Sequence, residues 1–521
     1  MEKTMEQMRA SEDRALQLRS LWEGTWAECY DYSMPGHNGF TRSSPGTRGD
    51  DLIFDETAVV GVQEFSSRMI QGIVPNNVRW ARLEPAPAAV ADMDDQQITE
   101  VQILLDDVNE YMFEVINSSN FSQETHEAFL DLAIGTASMT IEEGDAIQPI
   151  KFNAVPLSQV ALERGPYDSV GAQYRKRSVR ADSILAIWPN ATLSTELTKL
   201  AREKPHQEVS ITETTYRDWT RPDEYVYYYC VYTKKDGHKL FKETYTGVGS
   251  NPWVTFRWAK TSGEVYGRGP IYNSLAAIKT ANLTVQLILE NAELALSGVW
   301  QGDDDGVLNP ANVRLIPGTV IPRSPGSRGL EPLQFPGSFD VSQLVLSEMR
   351  HNINKALYNE TLGRREGTPI SATEVAERMS ELSRILGATY GRLQSEFVYP
   401  VVQRVIYLLK KQGRIDIPVV DGREIRIRAV SPMMRAQRNE DINQHINFAQ
   451  VTGQLFGPQM VQTIINPTKF AEKIAGWYEI DGELLRTEDE QAQLAQQTGE
   501  QMAAQGATGA DMATQLKEFL P

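Results

Sequence analysis

Cysteine is almost missing from this sequence: Cys29 and Cys230 are its only two. Two thiols cannot build a disulfide framework or a cysteine metal site, and a reducing compartment is the simplest reading. The six histidines are scattered, with no HxH or HExxH spacing, so no metal site is visible. Long apolar runs are missing too, which leaves no expected membrane span. The N-terminal stretch "MEKTMEQMRASEDRALQLRSLWE" is charged and amphipathic and lacks the apolar segment of a signal peptide. Positive charge is in deficit: 51 Lys and Arg against 69 Asp and Glu give a net charge of −18. That argues against a tight grip on nucleic-acid phosphates, which needs clustered cations, but not against a polyanion sliding past. No GxxxxGK[ST] phosphate loop and no GxSxG elbow occurs. "GVGSNPW" and "YGRGPIY" contain Gly-x-Gly, but neither has the strand–helix context of a dinucleotide site. No cofactor is implied.

The 521 residues and 41% hydrophobic content allow an ample core spread over two to four lobes. Residues 1–32 read as a helix whose apolar face holds Leu16, Leu18, Leu21, Trp22, Trp26 and Tyr30. Gly, Pro and Ser break it over 33–50. Helices are expected at about 55–73, 92–117 and 121–134, with a short strand at 78–85. From about 136 to 260 the apolar period changes to two, and Thr, Val, Tyr and Trp dominate, as in strands. "KKDGHK" supplies an Asp-Gly hairpin turn at 234–239. Short helices at 181–187 and about 193–203 interrupt these strands. The tyrosines and tryptophans at 216–232 and 253–258 could stack on bases, but alternating aromatics in strands more often form a sheet core, which is the favoured reading. The class is α+β.

The second half is more distinctive. Residues 270–297 form one long expected helix, with Pro270 suited to its first turn. Residues 298–340 are rich in Gly and Pro and suit short strands and turns. A helix at about 340–361 follows, then the charged loop "GRREGTP", then a helical pattern over 371–412. Ser371 and Glu374 have capping-box spacing. Pro400 removes a hydrogen bond, so a kink near 396–400 is expected. "RIDIPVVDGREIRIRAV" reads as a β-hairpin turning at Asp421-Gly422. Helices are expected again from about 434 to 485, and the Gln- and Ala-rich tail is weakly amphipathic. An insert at the far end of a two-helix stalk is short of core, so neighbouring subunits are expected to complete it. Asp303, Asp304 and Asp305 could hold Mg²⁺ in a nuclease or transferase; adjacent carboxylates in a Gly-bounded turn are more often a solvated loop. His351 and His445 fall within helical patterns as ordinary surface or packing residues.

At "LWEGTWAECYDYSMPGHNGF", "DETAVVGVQEFSSRMIQGIVPNNVRWARLEP" and "ISATEVAERMSEL" the chain resembles the head-to-tail connector, or portal, proteins of T7-like short-tailed bacteriophages. The likeness runs in order from about residue 12 to 430, carried best by Ser67 to Trp80 together with Ala372 to Arg378. It implies a non-enzymatic ring, usually of twelve subunits, at a capsid vertex, with DNA packaged and ejected through a central channel. It implies a wing at 1–269, stem helices at 270–297 and 340–362, and a β-rich clip at 298–339. A tunnel loop at 363–370 would follow, then a long wing helix and hairpin at 371–430, and a helical crown and tail at 431–521. Arg364, Arg365 and Glu366 would face the channel, the arginines either meeting phosphates beside a helix N-terminus or pairing with Glu366 or a neighbour's carboxylates. In the clip, Asp303, Asp304, Asp305, Arg314, Arg323 and Arg328 would dock partners. Those implied are the terminase large subunit, a tail adaptor or tail tube protein, the major capsid and scaffolding proteins, and double-stranded DNA held non-specifically. The implied location is the virion, with assembly in the host cytoplasm. The alternatives are a metal-dependent enzyme using Asp303–Asp305, or another oligomeric virion scaffold.

Overall fold

A computed structural model describes residues 2–37, 40, 52–91, 93–297, 300–302, 330–332, 339–359, 386–387, 389–418, 420, 422–432, 445–455, 470 and 474. Helix α1 (Met5–Ser33) begins on a capping box, in which Thr4 and Gln7 each accept the other's backbone N–H. Its buried side takes in four of the six expected apolar residues, with Leu16 and Trp22 packed partly against the core. Trp26 and Tyr30 are buried, but Leu18 and Leu21 are exposed, while Ser11, Glu12 and Arg19 face inward. Those polar groups find partners inside: Glu12 accepts from Thr212 and Tyr232, and Arg19 donates to the Val160 and Ser158 carbonyls. Hydrogen bonding thus widens the buried side of the helix beyond its apolar residues.

Helix α2 (Thr57–Ile73) turns Val62, Phe65 and Met69 into the core. Strand β1 (Ala81–Pro85), the short α3 (Pro87–Val90), α4 (Asp95–Ser118) and α5 (Phe121–Ile134) follow. The strand region divides into two antiparallel sheets. One joins β2 (Thr136–Glu143) to β3 (Ile150–Val155) and β9 (Trp253–Arg257) in the order β3-β2-β9. The other runs in sequence order through β4 (Val160–Arg164), β5 (Val170–Arg180), β6 (Glu208–Arg217), β7 (Val226–Thr233) and β8 (Lys239–Thr246). Helices α6 (Ile184–Ile187) and α7 (Thr195–Glu203) lie between β5 and β6. The strand tyrosines pack as a sheet core: Tyr174, Tyr216 and Tyr232 cluster with Met8 and Ala15 of α1, while Tyr229 sits with Trp188 and Leu240 on the opposite face. The β7–β8 turn carries Gly237 at φ 68°, as Asp-Gly predicts.

The long C-terminal helix is described from residue 386, and its kink falls where Pro400 leads to expect it. Gln394–Val398 form a π turn, closed by a Tyr399 N–H to Gln394 carbonyl bond, and α10 (Tyr399–Lys411) continues from it. Pro400 has no N–H to offer the Glu396 carbonyl, so the ladder widens there. Phe397 in this turn packs on Phe129 and Phe256 at centroid separations of 5.3 and 4.6 Å. The hairpin expected over 414–430 is overturned. Residues 415–418 form no strand, and β12 (Ile425–Ala429) pairs with β1, Ala81 opposite Ala429. Alternation identified a strand, and Asp-Gly identified a turn, but neither says which of two candidate edges the strand takes. Of the expected 434–485 helices, residues 445–455 are helical and most of the rest lies outside the described residues, as do most of the expected 33–50 loop and the Ser371 cap.

One buried carboxylate ties three elements together. Asp131 of α5 accepts from the Tyr30 hydroxyl at 2.5 Å and from the Leu157 N–H at 2.9 Å. Burial pushes its carboxyl up to about 7, against the opposing pull of those donors. Unfolded aspartate titrates near about 3.9, so the folded chain binds the extra proton between about pH 4 and 7. The stability contributed by this group is complete at the acid end of that window and is lost as pH rises through its upper limit. Denaturant titrations should show this falling component, and Asp131→Asn should remove it.

Candidate functional site: a clamped two-helix stem

Helix α8 (Pro270–Ser297) keeps the predicted boundaries, and its 28 residues reach about 42 Å at 1.5 Å each. Strand β10 (Trp300–Gly302) leaves its end and pairs antiparallel with β11 (Leu330–Pro332), Trp300 opposite Pro332. Helix α9 (Phe339–Ala356) then returns along α8. The two ends of the insert are thus fastened side by side, as a stalk with an insert at its tip requires.

The stem's foot is set by a close backbone crossing. Where α5 turns into β2, Gly135 lies against Gly267 and Gly269, just ahead of α8. A Cβ on Gly269 would fall 2.2 Å from the Ala133 carbonyl oxygen, and one on Gly135 2.2 Å from that of Gly267. Gly135 also sits at φ 153°. The crossing is bonded by Gly269 N–H to the Ile134 carbonyl (2.7 Å) and Gly267 N–H to the Thr136 hydroxyl (2.8 Å). The glycines of "YGRGPIY" therefore serve a packing role.

Higher up, α8 is clamped by Asn282. Its side-chain oxygen accepts the N–H groups of Phe54 (2.7 Å) and Asp55 (3.0 Å), and its amide donates to the Leu52 carbonyl (2.8 Å). Asp55 in turn accepts from the Thr57 N–H and from Arg350 of α9 at 2.8 Å. Burial alone would raise the Asp55 carboxyl; the Thr57 and Arg350 donors outweigh it and hold the group below the usual carboxylate range. The lower end of α9 is held by α2. Arg68 donates to the Tyr358 and Asn359 carbonyls, and Asn359 donates to the Gly61 carbonyl at 2.8 Å. This helix was expected to reach residue 361 or 362. It stops at Ala356, because Tyr358 turns left-handed at φ 57° and Arg68 captures carbonyls that would otherwise continue the ladder.

Beyond the clamp the helix pair exposes several large apolar side chains among polar ones such as Glu290, Glu293 and Glu348. Leu283, Leu287 and Leu289 of α8 are 53%, 48% and 53% exposed, and Leu344 of α9 is 70% exposed. Leu283 and Leu287 stack one turn apart, whereas Leu289 points to a different side. Large apolar side chains displayed together mark an interaction surface.

The predicted channel residues Arg364, Arg365 and Glu366, and the predicted docking residues Asp303, Asp304, Asp305, Arg314, Arg323 and Arg328, lie outside the described residues. His351 and His445 are exposed on helices. Cys29 and Cys230 are buried and unbonded to each other, in separate clusters. Among the described residues no group of three His, Cys, Asp or Glu is placed to hold a metal, and no helix is long and apolar enough to cross a membrane. Sequence reading missed the clamp residues Asp55, Asn282, Arg350 and Asn359. One available signal was Asn282 itself, a polar break on the stripe that contains Leu275 and Ile278. The stem leucines were also legible in "LTVQLILENAELAL", which is apolar around most of its circumference.

A helix pair fixed at its foot, with exposed leucines on its flanks and the β10–β11 pair beyond its end, presents a surface rather than a cleft. The chain belongs to the bacteriophage head to tail connecting protein family, which matches residues 6–485. It is 25% identical to the portal protein of Salmonella phage epsilon15, over 86% of this chain and 82% of that one. To the probable portal protein of Bordetella phage BPP-1 it is 22% identical, over 96% and 92% of the two chains. To the portal protein of Escherichia phage T7 it is 19% identical, over 92% and 88%. Among solved structures, a chain of a native gene transfer agent virion superposes with a TM-score of 0.37 at 11% identity, over 80% of this chain and 93% of that one. The role of the chain is structural, as a head-to-tail connector of a bacteriophage virion.

Two substitutions test the seating of the stem. Gly269→Ala should destabilise the chain by about 1–3 kcal/mol or more, since backbone must move to admit the methyl. Asp55→Ala leaves a buried N–H and Arg350 without their acceptor and should cost about 1–3 kcal/mol. Hydrogen exchange should show faster opening of 270–297 and 339–356 in both. The Asp55 carboxyl is depressed in the fold, so its contribution should be present at neutral pH and lost on acidification below about 4.

Proposed function

We propose that the chain assembles side by side into a portal ring at one capsid vertex, twelvefold by family resemblance, whose central channel passes the genome during packaging and ejection. The observation that carries this reading is the set of exposed leucines, Leu283, Leu287, Leu289 and Leu344, on the helix pair. A helix pair so exposed is unfavourable in water unless a second copy covers it, and apolar positions on different sides of one stem suit head-to-tail contacts that close into a ring.

In this reading residues 1–269 form the wing and 270–297 with 340–362 the stem. The clip is 298–339, the tunnel loop 363–370, the long wing helix with its following strand 371–430, and the crown 431–521. Arg364, Arg365 and Glu366 line the channel. The clip, through Asp303–Asp305, Arg314, Arg323 and Arg328, docks the terminase large subunit and later a tail adaptor or tail tube protein. Capsid and scaffolding proteins contact the ring during assembly in the host cytoplasm. The ring is not an enzyme, and packaging energy comes from a separate ATPase. A net charge of −18 per chain supports this use, because a mostly acidic wall keeps the duplex from sticking while a few arginines guide it.

Electron-microscope images of the purified chain should show closed rings with an open centre; a monomer at high concentration would sink the proposal. Leu283→Asp with Leu287→Asp removes two apolar contacts per interface. It should raise the concentration for half-assembly on the order of a hundredfold, with circular dichroism unchanged. A chain lacking 298–339 should still close into rings yet fail to retain terminase.

A further inference from the structure

The β4–β5 turn is strained and heavily anchored, yet its central side chain touches nothing. Tyr167 is 101% exposed. It and Asp168 are consecutive non-glycine residues at φ 56° and 58°, a conformation bulky side chains rarely hold without compensation. The compensation is visible. The Asp168 carboxylate binds Arg164 at 2.5 Å and Lys260 at 3.3 Å, and accepts the Gly263 N–H at 3.4 Å. Its carbonyl accepts from Arg257 at 3.2 Å and Lys260 at 3.3 Å. Gly165 N–H closes the loop onto the Ser169 carbonyl at 2.8 Å. All of this fixes the backbone beneath one solvent-exposed aromatic ring, with the half-exposed Arg164 paired to the neighbouring Asp168. Tyrosine and arginine on a preorganised support are the residue types that dominate binding energy at protein interfaces.

A complementary surface exists on a different part of the chain. Helix α4 exposes Ile103 and Leu104, flanked by exposed Glu100, Asp107, Glu110 and Glu114. It packs on β1 and α5, whereas the Tyr167 turn is stapled to the segment after β9. An apolar strip edged by carboxylates suits an aromatic knob accompanied by a guanidinium. When each copy gives its knob to one neighbour and its strip to the other, the pairing is head-to-tail, the arrangement that closes rings.

We propose that Tyr167, with Arg164, seats on the Ile103–Leu104 strip of an adjacent copy of this chain. This rests on the ring reading above and names a contact within it. One tyrosine covers about 150–250 Å², well short of the ~800 Å² per partner of a stable interface. The stem therefore supplies the bulk of the contact, and the knob sharpens it.

The test uses the full chain. With p-benzoylphenylalanine at position 167, ultraviolet irradiation of assembled protein should give chain-to-chain adducts whose peptides map to residues 95–118. Tyr167→Asn keeps a residue that tolerates the left-handed backbone. It should raise the half-assembly concentration about tenfold, and Tyr167→Phe should not. Leu104→Asp should have a similar effect, and the double variant Tyr167→Asn with Leu104→Asp should be no worse than either alone. If the unsubstituted chain forms rings but adducts map elsewhere, or the two effects simply add, the knob assignment is wrong and the ring stands. If the unsubstituted chain forms no rings, both fall.

Discussion

Three glycines where two backbone segments cross determine where everything beyond them can go. Gly135, Gly267 and Gly269 bring the α5–β2 turn and the approach to α8 so close that a methyl group on any of them would overlap a carbonyl oxygen. The helix that follows starts from a fixed origin, and a helix of about 42 Å magnifies any angular error at its foot. The Asn282 and Asp55–Arg350 contacts act further along the same lever and fix its direction. Rigidity at the foot and bareness on the flanks belong together. In the proposed ring such a surface must be presented at one angle, because a ring closes only if every interface repeats the same rotation.

What the sequence made legible follows from which signals are local. The limits of α8 were readable because Pro270 starts it and Gly298 follows it. The kink was readable because proline acts on a neighbour four residues away. The paired ends of the 298–339 insert followed from topology alone. The failures needed information from distant residues. Nothing local marks β12 as the partner of β1 rather than of the segment before it, and the two choices differ only in which edge is vacant. The burial of Glu12 and Arg19 on α1 was not legible because they are satisfied by Tyr232, Thr212 and the Val160 carbonyl, all more than a hundred residues away. The end of α9 depends in the same way on Arg68. The functional residues divide similarly. The exposed leucines were in plain view in a segment apolar around most of its circumference, while most of the clamp polar residues acquire meaning only with their partners.

The charge distribution separates two tasks. Inside the body, buried charges are held by carbonyls or by an opposite charge, as in the Arg257–Glu396 pair. Arg404, for instance, is buried between the Ile141 and Ser250 carbonyls and the rings of Tyr245 and Tyr407. Burial lowers its guanidinium below the usual range without removing its proton-bearing role as a donor. Outside, the excess is acidic, and screening over about 8–10 Å confines its influence to the nearest surface. A body held together by paired and carbonyl-bound cations can afford a repulsive exterior, because the two act over different distances.

Arg257 shows how the separate parts are kept in register. Its guanidinium and its own N–H grip Glu396 in the π turn at 2.6, 3.1 and 3.0 Å. Another of its nitrogens reaches the Asp168 carbonyl behind Tyr167 and the Val265 carbonyl ahead of the stem. One buried side chain thus touches the kinked helix, the strained turn and the approach to α8. Apolar packing alone could hold these three together but would tolerate sliding between them, since dispersion is not directional. A guanidinium whose donors point at fixed angles does not. The widened π turn is what brings Glu396 within reach of that geometry, so the missing N–H of Pro400, a local defect in one helix, becomes the point at which that helix is locked to the stem.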